Sequence, residues 1–533
     1  MGCGDEKLKR PWWISASAVI PVLVVGVLVV VPIYNLVKMI IALPTSGIFS
    51  IGVLASLGII LFQTLTIATL TAVGAVLAGL PLSYILARYS VKHRTFIQAL
   101  VLTPFVLPTV VTGIAIKGLV GSAVSQGLWL ILIGHVYVNL AVVVRIVTPV
   151  WEAMDQRFIY AARSLGASGW RLTRTIVWPL IRSAVWRAYG IVFVFGASSL
   201  GLVLILGDGR WQTFEVAILR QISVLVNFQI AAVFAVVQLL LVLIVLGITS
   251  RRRVVARAAR HGVHDRKPLT KSVAARVALY VYVIALIIPL LWLVKTSVTL
   301  DGSVGFSAWI SVLTENEILE SISVDNVFMT TLKVAALTAV ISMLVGGAAA
   351  MTTLGSRLTA NLGKTGFVTL GISSVTLGLA LLVTVTRPPF EFDRSLWLIA
   401  VTHSLVALPL VMAQVQPLLQ SVDARLLTAA ASLGARPFAA YKTAYGKVAR
   451  TSLLSAASVS AAVSLGEFGA ASFLGGYDQP TLAVTILRVL SKPSEYSLAF
   501  AAALSVMLAA MTLLVSLGFD SVSESEHRKV RHD

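Results

Sequence analysis

The sequence predicts an all-α polytopic membrane protein, with about twelve transmembrane helices arranged as two tandem six-helix repeats. Three observations carry this. Of 533 residues, 58% are hydrophobic and 12% are charged, and the mean hydropathy is +0.92; soluble chains are about 45–50% apolar and about 25% charged. The runs Trp13 to Val37, Ile51 to Ala87 and Phe228 to Ile248 each reach the roughly 20 residues that cross a bilayer core as a helix. Finally, the second half of the chain repeats the first.

The spans follow in order. The first, residues 13–37, comes after MGCGDEKLKRPWW, which is too short and polar for a separate signal peptide. Its own length exceeds the roughly 7–15 residues of a cleaved apolar segment, so it is expected to remain. Spans at 57–87, 96–120, 127–149, 180–206 and 227–249 complete a first transmembrane domain, residues 1–250. A basic linker, 251–273, leads to a second domain, 274–533, with spans at 274–296, 328–353, 365–386, 395–417, 452–475 and 497–519. Gly and Pro interrupt the third, fifth and eleventh. The runs are continuous rather than alternating, which excludes barrel strands of about ten residues.

The net charge of +20 suggests nucleic acid until its location is read. Basic residues cluster at Arg88, Lys92 and Arg94; at Arg157, Arg163, Arg171 and Arg174; from Arg251 to Lys271; and at Arg425, Arg436, Lys442 and Lys447. With twelve spans and a cytoplasmic start, all fall on one side. The segment Ser297 to Val327 falls on the other, carrying Asp301, Glu315, Glu317, Glu320 and Asp325 but no Lys or Arg. This is the positive-inside pattern, with both termini cytoplasmic. Anionic lipid headgroups take the positive charge, and no nucleic-acid partner is expected. The single cysteine, Cys3, excludes an internal disulfide and a Cys-based zinc site.

The repeat is written first in apolar residues: TLTIATLTAV from Thr64 returns as TLKVAALTAV from Thr331, 267 positions later. It returns where the chain is polar. YAARSLGASGWRLTRTIVWP, Tyr160 to Pro179, matches TAAASLGARPFAAYKTAYGK, Thr428 to Lys447, at an offset of 268 through Ala161/Ala429, Ala162/Ala430, Ser164/Ser432 and Gly166/Gly434. His135/His403, Pro149/Pro417, Asp155/Asp423 and the stretch Ile218-Leu219-Arg220/Ile486-Leu487-Arg488 keep that spacing. Apolar composition alone does not make loops repeat, so the chain is a tandem duplication. An even number of spans per half makes the repeats parallel, and the expected pathway lies between them. The stretch Ala153 to Leu165 holds no helix breaker, and Gly166 can end a short helix in the left-handed conformation.

The pattern E-A-A, three residues, G, nine residues, I-x-L-P is the coupling motif of permease subunits in bacterial ABC importers, and this chain resembles that family. Tyr160, Ala161, Ala162, Gly166, Ile176 and Pro179 fall at its spacing, with Tyr160 in place of the acid and Trp178 where Leu is usual. The second copy has Thr428, Ala429, Ala430 and Gly434, with Ala444 and Lys447 at the Ile and Pro positions. As a fused pair of such units, the chain is similar to the thiamine importer permease and the ferric-iron importer permease; Ser198 to Leu219 looks more like the thiamine type. The resemblance implies two ABC ATPase subunits carrying ATP-Mg on the cytoplasmic face, a separate extracytoplasmic solute-binding protein, and a place in the bacterial cytoplasmic membrane. It favours thiamine as solute, with ferric iron second.

This chain itself is expected to bind no cofactor and to be no enzyme. LTANLGKT, Leu358 to Thr365, is nearest to a phosphate-cradling loop, but Leu358 occupies its first glycine position. Neither His135 nor His403 has a second metal ligand four residues on, and a structural histidine is expected at both. Glu467 lies at the end of the eleventh span, either lining a pathway or facing water at an interruption beside Gly466 and Gly469. Aligning Ser199-Leu200-Gly201 with Ser464-Leu465-Gly466 sets it opposite Leu202, with no acidic counterpart. An ion-gradient-driven secondary transporter is the alternative from another class; paired intramembrane carboxylates or broken helices at matched positions, its usual signs, are weak in the sequence.

Overall fold

The computed structural model describes residues 11–42, 50–121, 127–154, 156–250, 267–300, 302–314, 323–386, 395–423, 425–476, 479–492 and 496–532. Cys3 and the opening segment, Asp155, residues 251–266 of the linker, and Asp301, Glu315, Glu317 and Glu320 lie outside them.

Ten helices among the described residues have the length and apolarity to cross a membrane, and two bent pairs bring the number to twelve. The first six are Trp12–Ile41, Ile51–Arg88, the pair Arg94–Val106 and Thr109–Val120, Leu128–Glu152, Gly169–Ala197 and Phe228–Thr249. The second six are Val273–Ser297, Val324–Leu354, the pair Arg357–Gly371 and Ser374–Val385, Leu396–Gln420, Pro437–Gly466 and Ser497–Val515. Serine starts several of them: Ser272 accepts from the Ala275 amide and Ser323 from the Asn326 amide, meeting donors that a helix start leaves free.

Four spans are broken or cut short, the third, fifth and eleventh, where the sequence places Gly and Pro, and also the ninth. The third turns by 99° and the ninth by 103°. Leu107, ahead of Pro108, and Ile372 are both extended, so the breaks stand at corresponding places in the two repeats. The fifth ends at Ala197 and the eleventh at Gly466, each followed by a short separate helix, Gly201–Leu206 and Ala471–Leu474. Matched broken helices, weak in the sequence, are thus plain in the structure.

The chain clusters into two compact units, one of residues 44–309 and 493–506, the other of residues 1–43, 310–492 and 507–533. In the first unit, the second and fourth spans approach closely: a Cβ at Gly79 would lie 2.5 Å from Val143 Cγ1. The fifth span crosses the second where a Cβ at Gly196 would come 3.1 Å from the Ala68 Cα. Ala68, Ala72, Ala75, Val143, Val147, Ala184 and Val192 make the core there. Between helices in lipid, small residues that admit close backbone approach replace the hydrophobic drive of a soluble core. The seventh span belongs to this unit. Tyr282 donates to the Ala78 carbonyl, Tyr137 donates to the Leu286 carbonyl, and the Trp292 indole lies against Gly118, where it leaves no room for a Cβ. Tyr89 and Ser90, just after the second span, pair in parallel with Lys267 and Pro268.

In the other unit, a Cβ at Gly347 would meet Leu453 at 3.0 Å, and Val411 closes over Gly346. The first span of the chain belongs here: Asn35 donates to Thr384 Oγ1, and Trp13 stands edge-on to Tyr441 at 5.3 Å. Each unit therefore takes its leading span from the other repeat.

The doubled TLT/TLK stretch has a structural reason. Thr64 Oγ1 accepts from the Phe214 amide, and Thr331 Oγ1 accepts from the Leu482 amide. Each pins the start of a helix that runs Phe214–Ser223 or Leu482–Leu490.

Candidate coupling helices and intramembrane polar site

The two polar repeats form short helices closed in the same way. The first is Gln156–Ser164, the second Arg425–Ser432. Gly166 has φ +82° and Gly434 φ +80°. Ahead of them, the Gly166 amide donates to the Arg163 carbonyl and the Ala167 amide to the Ala162 carbonyl; the Gly434 amide donates to Ala431 and the Ala435 amide to Ala430. This is one helix-ending motif built twice, in which the left-handed residue turns two amides back onto orphan carbonyls.

The inner face of the first helix is packed. Ile159 and Ala162 are buried in the same cluster as Trp151, Leu172, Ala68 and Val143, so this helix shares a core with the second, fourth and fifth spans. The outer face offers Tyr160, Ala161 and Leu165, all exposed. Leu165 and its counterpart Leu433 are both 88% exposed, and Thr428 and Ala429 are exposed on the second helix, with Ala430 half-buried. Ile176 packs against the first helix's core from a wide turn over Thr173–Val177, while Pro179 is exposed just beyond it. A proline cannot donate to the carbonyl four residues back, and a wide turn absorbs that loss. The second copy, lacking this proline, runs regularly from Pro437 to Gly466.

Deeper in the second repeat, a polar chain joins three spans. Thr338 Oγ1 lies 3.2 Å from Ser464 Oγ, which lies 2.9 Å from His403 Nδ1; His403 Nε2 lies 3.1 Å from Glu467 Oε2. The Glu467 carboxylate also accepts from the Gly469 and Ala470 amides, at 3.0 and 3.1 Å, and from the Ser374 hydroxyl at the break of the ninth span. Glu467 thus joins the broken ninth span to the break after the eleventh, and its oxygens are engaged.

The corresponding place in the first repeat is found from packing. Gly469 lies against Ser374 and Val375 as Gly201 lies against Thr109 and Val110. That keeps the offset of 268 and sets Ser199 opposite Glu467 and Gly196 opposite Ser464. Thr71 beside Gly196 then matches Thr338 beside Ser464. The three-residue SLG match, which put Leu202 opposite Glu467, is a coincidence of small and apolar residues; Leu202 packs over Gly134 instead. Glu467 still has no acidic counterpart.

His403 is a fully buried histidine with partners, as the sequence reading expected of a structural residue. His135, also buried, has none on either ring nitrogen. The sequence reading missed a buried pair in the first repeat: the Gln238 amide donates to Glu215 Oε1 at 2.5 Å. Its signal was present, because Gln238 alone interrupts the apolar run from Ile230 to Val245. Among the described residues no cluster of three or more His, Cys, Asp or Glu could hold a metal.

Residues 79–260, which include the first short helix, His135 and Ser199, match the family described as binding-protein-dependent transport system inner membrane component. The chain is 30% identical over 177 residues to the sulfate transport system permease protein of Escherichia coli, covering 31% of this chain and 64% of that protein. It is 31% identical over 148 residues to a probable molybdenum ABC transporter permease of Haloferax volcanii, covering 26% and 55%. It is 27% identical over 204 residues to the thiamine transport system permease protein of Haemophilus influenzae, covering 34% and 37%. These matches span less than two thirds of each relative.

Proposed function

Because residues 79–260 carry a domain of the binding-protein-dependent transport family, we propose that the chain is the membrane permease of an ATP-binding-cassette importer. The observation that carries this is the pair of helices ended by Gly166 and Gly434, each with an exposed leucine outside and, in the first, a buried face continuous with the spans. Two separate ATPase subunits dock on these helices from the cytoplasm. ATP-driven closure of those subunits moves the helices and opens the pathway alternately to either side. A separate binding protein delivers a small solute from outside. The chain sits in the bacterial inner membrane with both termini cytoplasmic.

For the solute, two readings have support. Thiamine is favoured by the sequence resemblance around Ser198 to Leu219 and by the similarity to the Haemophilus protein. A small oxyanion is favoured by the sulfate and molybdenum permeases among the relatives, and by the Glu467 carboxylate, whose bonds to Gly469, Ala470 and His403 leave it poorly placed to meet a cation. Ferric iron is the third solute to assay. Copurification of the full chain from its own membrane with mass spectrometry tests the assignment: ATPase subunits and a binding protein should accompany it, and the ligand held by the binding protein names the solute.

An ion-gradient-driven transporter keeps one observation in its favour, the broken third and ninth spans at matched positions. Uptake by this chain alone, in ATP-free vesicles with an imposed gradient, would establish that reading and overturn the importer.

A further inference from the structure

The second span, Ile51–Arg88, turns one face away from the protein. Ala68, Ala72, Ala75 and Gly79 pack toward the fourth and fifth spans, while Val73, Leu77, Pro81 and Tyr84 stand exposed on the opposite side. Those four recur every three or four residues, one line along a helix, and Arg88 is the next member of the line. A lipid-facing stripe therefore runs down to an arginine at the end of the span. Arg88 is half-buried, and among the described residues its hydrogen bond runs from Nη2 to Met154 Sδ, a weak acceptor at 3.4 Å. Tyr84 and Tyr160 are its electrostatic neighbours, and Arg163 of the first short helix is close enough to act on Tyr84. The Tyr84 ring stands edge-on to Trp151 at 5.4 Å and to Tyr89 at 6.1 Å. Lys267, paired by backbone with Tyr89, brings a further cation to this end. Glu152, at the end of the fourth span, is taken up by Arg94.

The second repeat shows that the fold does not require this arrangement. Val340 and Leu344 are exposed on the eighth span as Val73 and Leu77 are on the second. At the offsets of 267 and 268, however, Ala348 is buried where Pro81 is exposed, Met351 and Gly355 replace Tyr84 and Arg88, and Ala431 replaces Arg163. A guanidinium carries five N–H donors and meets a phosphate through two parallel bonds, a capacity that one thioether leaves largely unused. Aromatic side chains collect at the level of the headgroups, as Tyr84, Tyr89 and Trp151 do around Arg88. We propose that the end of the second span is a binding site for the phosphate of an anionic phospholipid, with Arg88 as the principal donor, Arg163 beside it and an acyl chain along Tyr84, Leu77 and Val73. Inorganic phosphate shares the headgroup chemistry, but the stripe selects a phosphate that bears a chain. Because Arg88 belongs to the span and Arg163 to the short helix, the lipid ties the two together, and the second repeat has no such tie. This goes beyond the transport role and depends only on the chain lying in a bilayer.

The test is native mass spectrometry of the full-length chain, delipidated in detergent and titrated with phosphatidylglycerol or phosphatidylcholine. One phosphatidylglycerol should bind saturably and at least fivefold more tightly than phosphatidylcholine, and excess inorganic phosphate should not displace it. Arg88→Ala should lower its occupancy at least fivefold; Arg88→Gln serves if the shorter side chain prevents folding. Arg88→Lys keeps the charge but loses the forked geometry, and should fall between. Arg357→Ala, at an exposed arginine two residues beyond Gly355, should leave occupancy within twofold. No preference for phosphatidylglycerol, unsaturable uptake, displacement by phosphate alone, or wild-type occupancy in both Arg88→Ala and Arg88→Gln overturns the site. Loss of copurified ATPase from Arg88→Ala with lipid occupancy unchanged gives the guanidinium to the docked subunit and overturns the site as well. A wild-type chain that recruits ATPases yet shows no preference among lipids overturns this inference alone; one that retains phosphatidylglycerol without recruiting ATPases overturns the importer and leaves the site standing.

Discussion

Gly166 and Gly434, 268 positions apart in the chain, hold the same left-handed backbone, φ +82° and +80°, at the end of the same kind of helix. A Cβ at either would meet nothing within 4 Å. The demand for glycine is thus one of conformation and not of space.

That distinction makes the first prediction. An L-residue forced left-handed costs about 1–2 kcal/mol, and asparagine tolerates it best. Uptake driven by ATP should therefore survive Gly166→Asn largely intact, fall with Gly166→Ala and fall furthest with Gly166→Val, while the amount of protein in the membrane stays level. Equal loss in all three variants would mean that the glycine is needed for room against a docked partner instead.

Leu165 and Leu433 should act as contacts and not as core. Each is 88% exposed, so Leu165→Ser or Leu433→Ser should leave the melting temperature of the purified chain within about a degree, since surface changes lie within about 0.5 kcal/mol. Copurified ATPase should drop several-fold. A fall in melting temperature without loss of ATPase would reverse the assignment.

Glu467→Ala should be among the most destabilising single changes in the second repeat. It strands the Gly469 and Ala470 amides, and each buried donor left unbonded costs about 1–3 kcal/mol. Glu467→Gln keeps an acceptor and should cost less. His135→Ala breaks no bond to its ring and should cost less than His403→Ala. Thermal unfolding of the four variants in one detergent gives the ranking.

Gly118→Ala should destabilise by overpacking, about 1–3 kcal/mol, because the new methyl enters the Trp292 ring. Trp292→Leu costs contact area by itself but should absorb the methyl. The double variant should then be more stable than the sum of the single changes, a coupling that a double-mutant cycle measures directly.

Much of this architecture was legible in the sequence. Long apolar runs have one solution in a bilayer, a helix that satisfies its own backbone, so twelve spans could be counted. The short helices were legible because polar loop residues recur only under a shared constraint: Ala162 against the core, Gly166 in a conformation that favours glycine. The turns inside the third and ninth spans were harder to read. Pro108 marks one, but Ile372 and Ser373, which are extended, carry no breaker, and the contacts beside them are long-range: Ser374 and Val375 lie against Gly469. The partners of His403, Ser464 and Glu467, come from a distant segment at the end of the eleventh span, and the register that aligns Ser199 with Glu467 is fixed by which glycine touches which threonine or serine. Periodicity holds no record of either. The Glu215–Gln238 pair was within reach, since an amide in an apolar run needs a partner somewhere.

The exchange of leading spans bears on how such a chain could be divided. A cut anywhere in residues 251–266 would leave each product carrying one helix whose neighbours reside on the other product: Trp12–Ile41 on one fragment, Val273–Ser297 on its sister. Neither fragment could then mature in isolation, and the pair would assemble only by trading arms. Fusing the genes converts that reciprocal embrace from a bimolecular encounter into an intramolecular one.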